Sequence, residues 1–591
     1  MHRIRDSLTK KLWVSKQVST RKRWMIEFLV LGPVVVASFS SFILVGGQVA
    51  RIDFVVPQSS PQAWQAFVTS FYAWSRSKTV GDQVTATSGS LYYLLQAILV
   101  MLLGTDFASK TLFILPLPLS GFFMLLLGHK RGWSVQAGLI AAIIYMVNPY
   151  VESRLLNGHC FLLLGYALLP LALNAYVGAA ESPKLTSIIK AGLVTTFQFL
   201  LSSSPHTIVM TAGAMILYSC LQVVSSLSSR GSKVLIANIK SFVGTLLIFV
   251  GLDLFIVVPT ISGFWFGSPL PAVGLDVPIE FLESESRNAT ILNVVRLTGW
   301  IGQIFTYSAV AKSLAPTPLP PVFDSPLFSW LWSLSTFYVP LLVLVALLMP
   351  AKGMFDVFTR WLSVVALFLA KGIQEPLGAI YHWLFTSFPL FMMFRSNSKF
   401  LVLLSFSLAV LAGQGANRIC SLIRSKRRCA SALLTTLLII PVIFSNWPAF
   451  TGDFQGQVRP FSIPRDILET QEFLRQYPGD FRTVWLPLRL GNTEAAWFNW
   501  TDSPPMVDPA GNPNSFPKPI VGVNMGQFSH ADNFIAFLYA TLYGNRTSHV
   551  GQLLDLLNVR FVILRSDVLD TNGIIPREWR HYTRSYYPKR T

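Results

Sequence analysis

The sequence contains few charged residues for its length. Only 13% of its 591 residues are Asp, Glu, Lys or Arg, about half the share found in typical globular proteins, whereas 52% are hydrophobic. A protein core alone does not cover so much apolar surface, and lipid is the abundant alternative. This composition argues against a chain of soluble domains and excludes disorder, collagen and coiled coil. It predicts a multi-pass membrane protein.

Cysteines and the short motifs of soluble enzymes are also scarce. The four cysteines include no CxxC pair, so we expect neither a disulfide framework nor a zinc site. The sequence has no GxxxxGKS/T, GxGxxG, GxSxG or HExxH motif. We therefore expect no nucleotide-dependent chemistry, and no motif requires a cofactor.

Long apolar runs are abundant. Eleven of them have 17 or more residues, close to the roughly 20 that a membrane-spanning helix needs. We predict spans at 25–47, 110–128, 133–151, 160–180, 186–204, 205–224, 235–259, 327–349, 355–371, 400–417 and 430–446. The multi-pass domain therefore covers 25–446.

The positions of the basic residues predict the orientation of these spans. The N-terminal segment 1–24 is strongly basic, which predicts a cytoplasmic N-terminus. The later loops assigned to the same side carry further basic residues: Lys130, Arg131, Lys184, Arg230, Lys233, Lys352, Arg418, Arg424, Lys426, Arg427 and Arg428. The net charge of +19 then reflects membrane topology, and we predict no nucleic-acid partner. Eleven spans place the C-terminus outside the plasma membrane.

The glycosylation-type triplets give a second, weaker check on the orientation. They begin at Asn288, Asn499 and Asn545, and all three fall in segments predicted to be external. The agreement favours the same topology.

Three external segments are long: 48–109, 260–326 and 447–591. In the first we predict two interfacial helices, 62–78 and 91–104. Trp64, Phe67, Phe71 and Trp74 lie on one face of the first helix, and the second is too short to span. In 447–591, short runs at 480–486 and 559–564 have the pattern of buried strands. We predict a small extracytoplasmic α/β domain there.

Two acids are candidates in the first external loop. Asp53 directly follows the first span, at the depth where a lipid-linked substrate presents its headgroup, and a carboxylate there suits a general base. The alternative is that Asp53 only marks the end of a helix. Asp82 is a candidate for assisting it or binding sugar hydroxyls, and the alternative is a solvated turn residue.

Polar residues inside or beside apolar helices form a second group of candidates. Asp253 lies within an apolar run, where an acid commonly faces a polar cavity or else packs between helices. Arg154 and His159 are candidates for binding a phosphate or a sugar hydroxyl, with a structural role as the alternative. Arg395 and Lys399 sit at the external start of a helix, where a lipid phosphate or simple headgroup anchoring explains them.

Several segments of the chain resemble the GT-C superfamily of integral-membrane glycosyltransferases, with the nearest likeness to arabinofuranosyltransferase-like and YfhO-like membrane proteins. They are RIDFVVP at 51–57, NPYVESRLLNGHCFLLLGYALLP at 148–170, FRSNSKF at 394–400 with AVLAG at 409–413, and LNVRFVI at 557–563. Their order along the chain carries more weight than any single segment.

The resemblance implies an all-α multi-pass domain that uses a polyprenyl-phosphate-linked sugar as donor and inverts the anomeric carbon. Asp53 matches the acid of the first external loop in this superfamily. Members often have two adjacent acids there, whereas this chain has Asp53 and the distant Asp82, so a divalent cation is an open question.

Our leading hypothesis is therefore an inverting membrane glycosyltransferase. Asp53 deprotonates the acceptor hydroxyl, Arg395 and Lys399 hold the departing phosphate, and Arg154, His159 and Asp253 shape the cavity. The partners are membrane lipid, the lipid-linked donor and a glycan, lipid or glycoprotein acceptor. The alternatives are a glycolipid transporter or flippase and a catalytically silent envelope assembly protein.

Overall fold

The computed structural model describes residues 20–567, apart from several segments. The longer gaps are 76–81, 84–88, 227–230, 259–278, 299–304, 309–312, 317–325, 424–427, 487–494, 502–505, 508–517, 522–533 and 542–546. The shorter ones are 52, 73, 203, 455–457, 497, 535–536 and 539–540. The basic residues before 20, the triplet at Asn545 and most of 502–519 thus lie outside the described residues.

Helices dominate the first three quarters of the chain. The helices before the gap at 259–278 are α1 Thr20–Ile43, α2 Ser60–Thr69, α3 Ser90–Ile114, α4 Pro116–Lys130, α5 Val135–Met146, α6 Pro149–Leu156, α7 Cys160–Glu181, α8 Leu185–Ser202, α9 Pro205–Ser226 and α10 Gly231–Leu252. Those that follow are α11 Ile279–Ser286, α12 Ile291–Val295, α13 Pro326–Ser335, α14 Tyr338–Leu347, α15 Met354–Ala370, α16 Gly378–Ser387, α17 Leu401–Ile423 and α18 Arg428–Ser445. Two 3-10 helices, Pro389–Phe394 and Asn397–Phe400, lead into α17.

The predicted spans all coincide with helices. Nine helical stretches within the described ranges are long and apolar enough to cross a membrane, and they match nine of the eleven predicted spans. The other two predictions, 355–371 and 430–446, correspond to α15, which has 17 residues, and α18. The chain is a multi-pass membrane protein.

Three predicted boundaries in this region are wrong. The helix predicted over 62–78 ends at Thr69, and Trp74 lies instead on strand β1 (Trp74–Ser75), which pairs with β2 (Asp82–Gln83). The hydroxyls of Thr69 and Ser70 donate to carbonyls of the last turn, at Gln65 and Phe67. Short hydroxyl side chains compete in this way with the helical ladder, which favours a helix end here.

The other two corrections concern α3 and α10. The segment 91–104 is not a separate helix, because α3 runs on to Ile114 through a kink at Gly104, where φ is 71°. Only glycine adopts such an angle easily, so the chain changes direction without a loop. The span predicted to reach 259 is interrupted at Asp253, which separates α10 from a further helical segment at 254–258.

Helix α17 lies at the centre of the bundle and contacts α5, α14 and α15. Its close approach to α5 depends on a glycine, Gly413, which has no side chain. A Cβ at Gly413 would lie 2.6 Å from the carbonyl oxygen of Ala137 and 2.9 Å from the Cβ of Ala141. Small residues at helix contacts allow membrane helices to pack at short range.

Ion pairs join several helices at the end of the bundle where α1 begins. Glu27, on α1, is fully buried and pairs with Arg23 at 2.9 Å and with His129, at the end of α4, at 2.6 Å. Arg131 pairs with Glu181, at the end of α7, at 3.1 Å. The ends of α4 and α7 therefore lie together on the side of the α1 N-terminus, and Asp53 follows the opposite end of α1.

The C-terminal part contains both of the strands that the sequence predicts. Strands β5 Arg482–Leu486 and β8 Val559–Leu564 pair in parallel. The other elements of this part are α19 Arg465–Gln476, β6 Ala495–Ala496, β7 Met506–Val507 and α20 Val550–Asp555, whereas β3 Phe305–Ser308 and β4 Ser313–Pro316 pair earlier in the sequence, between α12 and α13. Gln48 forms an antiparallel bridge with Phe461, and Phe39 packs on Phe454 at 5.7 Å between ring centroids. These contacts join this part to the end of the first span.

We expect Gly413→Ala to destabilise the bundle. The added methyl group overlaps the backbone of α5, and overpacking of this kind costs about 1–3 kcal/mol. Thermal unfolding in detergent should show a lower Tm. Gly213→Ala on α9 is the matched control, because a Cβ there has no neighbour within 4 Å. An equal Tm for the two variants would contradict the proposed close packing.

Candidate functional site

Asp53 lies in a tight turn just after the first span. The turn is closed by two backbone hydrogen bonds, from Arg51 N–H to the Phe54 carbonyl at 2.8 Å and from Phe54 N–H to the Arg51 carbonyl at 3.2 Å. Phe54 is 1% exposed and packs on Phe113 of α3. The Asp53 side chain is 50% exposed. A fixed backbone therefore presents a carboxylate that solvent can reach.

The loop between α6 and α7 holds this turn from the other side. The backbone N–H of Asp53 donates to the Asn157 carbonyl at 3.0 Å. Gly158 has φ +82°, and a Cβ there would lie 2.7 Å from the Phe54 nitrogen and 2.9 Å from the Asp53 nitrogen. Glycine is needed at this position for both its angle and its small size. The two loops consequently pack backbone to backbone.

The side chain of Arg51 also connects the Asp53 turn to the α6–α7 region. Its side chain is 2% exposed, and its Nε donates to the Leu156 carbonyl at 2.6 Å. Burial lowers the pKa of Arg51 to about 10, so the guanidinium still carries its charge at neutral pH. This adds a permanent positive charge to the site.

His159 is brought directly onto Asp53. Its Nε2 lies 2.7 Å from Asp53 Oδ2, although 106 positions separate the two residues. Its Nδ1 lies 3.3 Å from the Arg154 guanidinium. Burial lowers the pKa of His159, and the charges of Arg154 and Lys399 lower it further while Asp53 opposes the shift. The imidazole is therefore neutral at physiological pH.

Arg154 connects this pair to the segment before α17. It is 3% exposed, and its second guanidinium nitrogen donates to Ser398 Oγ at 2.5 Å. Ser398 shares a hydrogen bond of 2.9 Å with Ser396, which donates to Glu285 Oε2 at 2.5 Å. Two predicted candidates, Arg154 and His159, thus lie in one network with Asp53.

Lys399 and Arg395 stand in the same segment as Ser396 and Ser398. Lys399 Nζ lies 2.6 Å from Nε2 of His206, which in turn is 2.8 Å from the Met393 carbonyl. Arg395 is exposed, and its charge acts on both Lys399 and His206. Four basic side chains and one histidine therefore surround the region next to Asp53 and His159, namely Arg51, Arg154, Arg395, Lys399 and His206.

Glu285 is a site residue that the sequence does not reveal. It lies near the end of α11, in a segment predicted to be external that also contains Glu280 and Glu283, and no spacing distinguishes it from these acids. His206 follows a run of serines at the start of α9, and its polar surroundings are the only signal for it. The network assigns both residues positions beside the candidates.

The two remaining candidates do not join Asp53 through any interaction found in the described residues. Asp253 is fully buried at the break after α10, beside Thr196 of α8. Asp82 lies on β2, and the structure does not describe its side chain. The roles predicted for these two acids stay predictions.

No metal cluster forms around Asp53 in the parts of the chain that the structure covers. Within these ranges, no three or more His, Cys, Asp or Glu side chains come close enough to hold one ion. Asp53 and His159 make only a pair. The arrangement presents a carboxylate, a neutral imidazole and several fixed cations, which suits binding of an anion beside a proton acceptor.

Comparison with known proteins gives matches in structure only. Neither a protein-family model nor a curated protein sequence matches the chain. The chain is similar to the arabinofuranosyltransferase AftD from Mycobacteria in one cryo-EM structure of a mutant form, with TM-score 0.59 and 12% identity over 96% of this chain and 38% of that chain. A second AftD structure matches with TM-score 0.58 and 13% identity over 96% and 37%.

A weaker similarity is to the oligosaccharyltransferase AglB from Archaeoglobus fulgidus, with TM-score 0.49 and 10% identity over 93% of this chain and 70% of that one. The chain spans little more than a third of the length of AftD. At these identities the similarity concerns the fold. The chain shares the fold of the matched part of these AftD structures, which agrees with the fold that its resemblance to the GT-C superfamily implied.

Proposed function

We propose that this chain is a membrane glycosyltransferase that moves a sugar from a polyprenyl-phosphate-linked donor to an acceptor hydroxyl on the extracytoplasmic side, with inversion. The acceptor class is a glycan, a lipid or a glycoprotein. The observation that carries the proposal is the half-exposed Asp53 carboxylate, held in a closed turn at the end of the first span beside a group of basic side chains.

The chemistry follows from the residue types. The acceptor hydroxyl attacks the anomeric carbon and gives its proton to the Asp53 carboxylate. The new bond joins the acceptor oxygen to the anomeric carbon as the bond from that carbon to the phosphate oxygen breaks. Polyprenyl phosphate leaves with the electron pair of that bond. A positioned base speeds such a step by roughly a hundredfold to ten-thousandfold.

The charge balance supports a phosphate ligand. Arg51, Arg154 and Arg395 bring three positive charges and Lys399 adds a fourth basic group, whereas Asp53 and Glu285 bring two carboxylates. Crowded cations of this kind repel one another unless an anion lies among them. In our proposal Arg395 and Lys399 bind the phosphate of the donor and stabilise the charge that grows on it during transfer.

The surroundings suit a donor that arrives in the membrane. Helix α2 and the turn that follows it carry a row of aromatic rings, with Trp64 and Phe67 5.4 Å apart and Phe67 and Phe71 5.3 Å apart. Trp64 and Phe71 are about half exposed, whereas Gln62 on the opposite face is buried. Exposed aromatics are typical of helices that lie at a lipid interface. We place α2 there, so that it flanks the route of the prenyl chain to Asp53.

The sugar and the acceptor are the least constrained parts of the proposal. The structural similarity to the arabinofuranosyltransferase AftD suggests arabinofuranose as the first sugar to test. The C-terminal part, 447–567, joins the end of the first span close to the Asp53 turn through the bridge between Gln48 and Phe461. We propose that this part lies outside the membrane and presents the acceptor.

We expect Asp53→Asn to abolish sugar transfer, with kcat at least a hundredfold lower, because an amide does not accept the proton of the acceptor hydroxyl. The protein is reconstituted in nanodiscs and given radiolabelled sugars, first arabinofuranose and then mannose, galactose and glucose, on short prenyl phosphates. Asp555→Asn is the matched control, since Asp555 is an exposed acid at the end of α20.

The same preparation separates the proposal from a transporter or flippase. Movement of a fluorescent prenyl-phospho-sugar across the vesicle membrane is followed beside transfer. Transfer that disappears with Asp53→Asn supports the enzyme. Movement without transfer, unchanged by the substitution, would instead identify a transporter, and neither activity would favour an assembly protein.

We expect Gly158→Ala to reduce transfer by about tenfold to a hundredfold, because a misplacement of around 1 Å at a catalytic group has effects of that size. Gly132→Ala is the control. Gly132 also has positive φ, at +67°, but a Cβ there has no neighbour within 4 Å. It reproduces the backbone strain without moving Asp53. Equal activity of the two variants would show that the contact does not position the carboxylate.

A further inference from the structure

We propose that His159 is the positioning residue for Asp53, and that its orientation and tautomer are fixed by a hydrogen-bond chain that runs through Arg154, Ser398 and Ser396 to Glu285. The proposal deepens the function proposed above and rests on it. It adds Glu285, on α11, as a remote positioning residue for the base.

The groups at the two ends and at the centre of this hydrogen-bond chain determine the direction of every hydrogen bond in it. Arg154 has only donors, so it donates both to His159 Nδ1 at 3.3 Å and to Ser398 Oγ at 2.5 Å. His159 Nδ1 is then an acceptor, and the proton of the neutral ring lies on Nε2. That N–H donates to Asp53 Oδ2 at 2.7 Å.

The other half of the chain has the same polarity. Ser398 accepts from Arg154 and donates to Ser396 at 2.9 Å, and Ser396 donates to Glu285 at 2.5 Å. An ionised carboxylate only accepts, so the chain ends at Glu285 as it ends at Asp53. All donors therefore point outward from Arg154. A carboxylate at each end compensates the buried guanidinium at the centre.

This direction of the hydrogen bonds prevents His159 from taking a second proton while the hydrogen-bond chain is intact. A proton on Nδ1 would face the N–H groups of Arg154, and the hydrogen bond would be lost. The charged groups that act on the ring are Asp53, Arg154 and Lys399, and two of these three are cations. The lowered pKa of His159 agrees with this arrangement. The imidazole donates to Asp53 and leaves its other carboxylate oxygen, Oδ1, for the acceptor hydroxyl.

Glu285 links a distant segment of the chain to the base. The network draws on four elements: the turn after α1, the α6–α7 region, the 3-10 helix Asn397–Phe400 with the preceding Ser396, and α11. Glu285 is also close enough to act on Lys399 and Tyr381. Loss of its carboxylate leaves Ser396 without its acceptor at the end of the hydrogen-bond chain that starts at Arg154. We therefore expect the substitution to weaken the orientation of His159.

The test compares variants that keep or remove the Nε2 donor. His159→Phe keeps the ring shape without a donor, and His159→Gln places an amide N–H close to the position of Nε2. Glu285→Ala removes the end of the chain. Glu283→Ala, an exposed acid on the same helix, is its matched control. Transfer is measured across pH in nanodiscs with the prenyl-phosphate-linked sugar that the native protein accepts.

We expect His159→Phe to lower kcat by about tenfold to a hundredfold with little change in the KM for the donor. His159→Gln should restore most of kcat, because its amide N–H replaces the Nε2 donor. Glu285→Ala should lower kcat by a smaller factor, and Glu283→Ala should leave it unchanged.

A loss of kcat that His159→Gln does not restore, or a loss that comes with an equal rise in the KM for the donor, would overturn the positioning role, because a purely structural defect is not rescued by a matched hydrogen-bond donor. A Glu285→Ala variant that behaves like Glu283→Ala would remove Glu285 from the chain. Nitrogen NMR on histidine-labelled protein decides the tautomer without any activity, with the His159 signal identified by its loss in His159→Gln. A neutral ring protonated on Nε2 supports the proposal, and an Nδ1-protonated ring or an imidazolium at neutral pH contradicts it.

If no sugar is transferred by the native protein, the proposed function fails. The NMR result still decides whether the hydrogen-bond chain fixes the tautomer of His159. The two failures are therefore distinguishable.

Discussion

The buried guanidinium of Arg154 is the group on which the arrangement of the site depends. A charge removed from water is costly unless hydrogen bonds and opposite charges surround it. Arg154 meets this requirement by donating in two directions, toward the Asp53 turn and toward the segment that begins α17. Because those partners come from segments far apart in the sequence, the hydrogen bonds that compensate one buried charge bring these segments of the bundle together.

The bundle beneath provides the rigidity that this network needs. Helices α5 and α17 pack closely at Gly413, and α7 is buried along most of its length. The Asp53 turn and the α6–α7 loop, which lies directly before α7, are packed backbone to backbone at Gly158. In our proposal, a base supported in this way keeps its position while a flexible lipid-linked substrate enters and leaves. The catalytic proposal thus relies on loops that are short, closed and anchored in helices.

Much of the membrane architecture could be predicted from the sequence, because a helix that crosses lipid leaves a long apolar run. The failures have local causes. Trp64, Phe67, Phe71 and Trp74 continue a helical spacing, but the hydroxyls near Thr69 end the helix before Trp74. At Gly104 the sequence shows a boundary, whereas the helix is only kinked there. Periodicity does not distinguish a stop from a bend.

The candidate residues could be selected one by one from the sequence, but the geometry that brings them together could not. Asp53, Arg154, His159, Arg395 and Lys399 stand out as polar residues amid apolar segments. Their pairing is a tertiary property, since 106 positions separate Asp53 from His159 and 244 separate Arg154 from Ser398. Glu285 lies among other acids in a polar segment, so composition gives no reason to select it.

The most direct measurement of the central claim is an experimental structure of the chain in a lipid nanodisc with a non-hydrolysable prenyl-phospho-sugar bound. Our account predicts the phosphate against Lys399 and Arg395, with the anomeric carbon facing the turn that carries Asp53. A donor bound elsewhere, or an Asp53 side chain closed off from any groove that admits a prenyl chain, would contradict it.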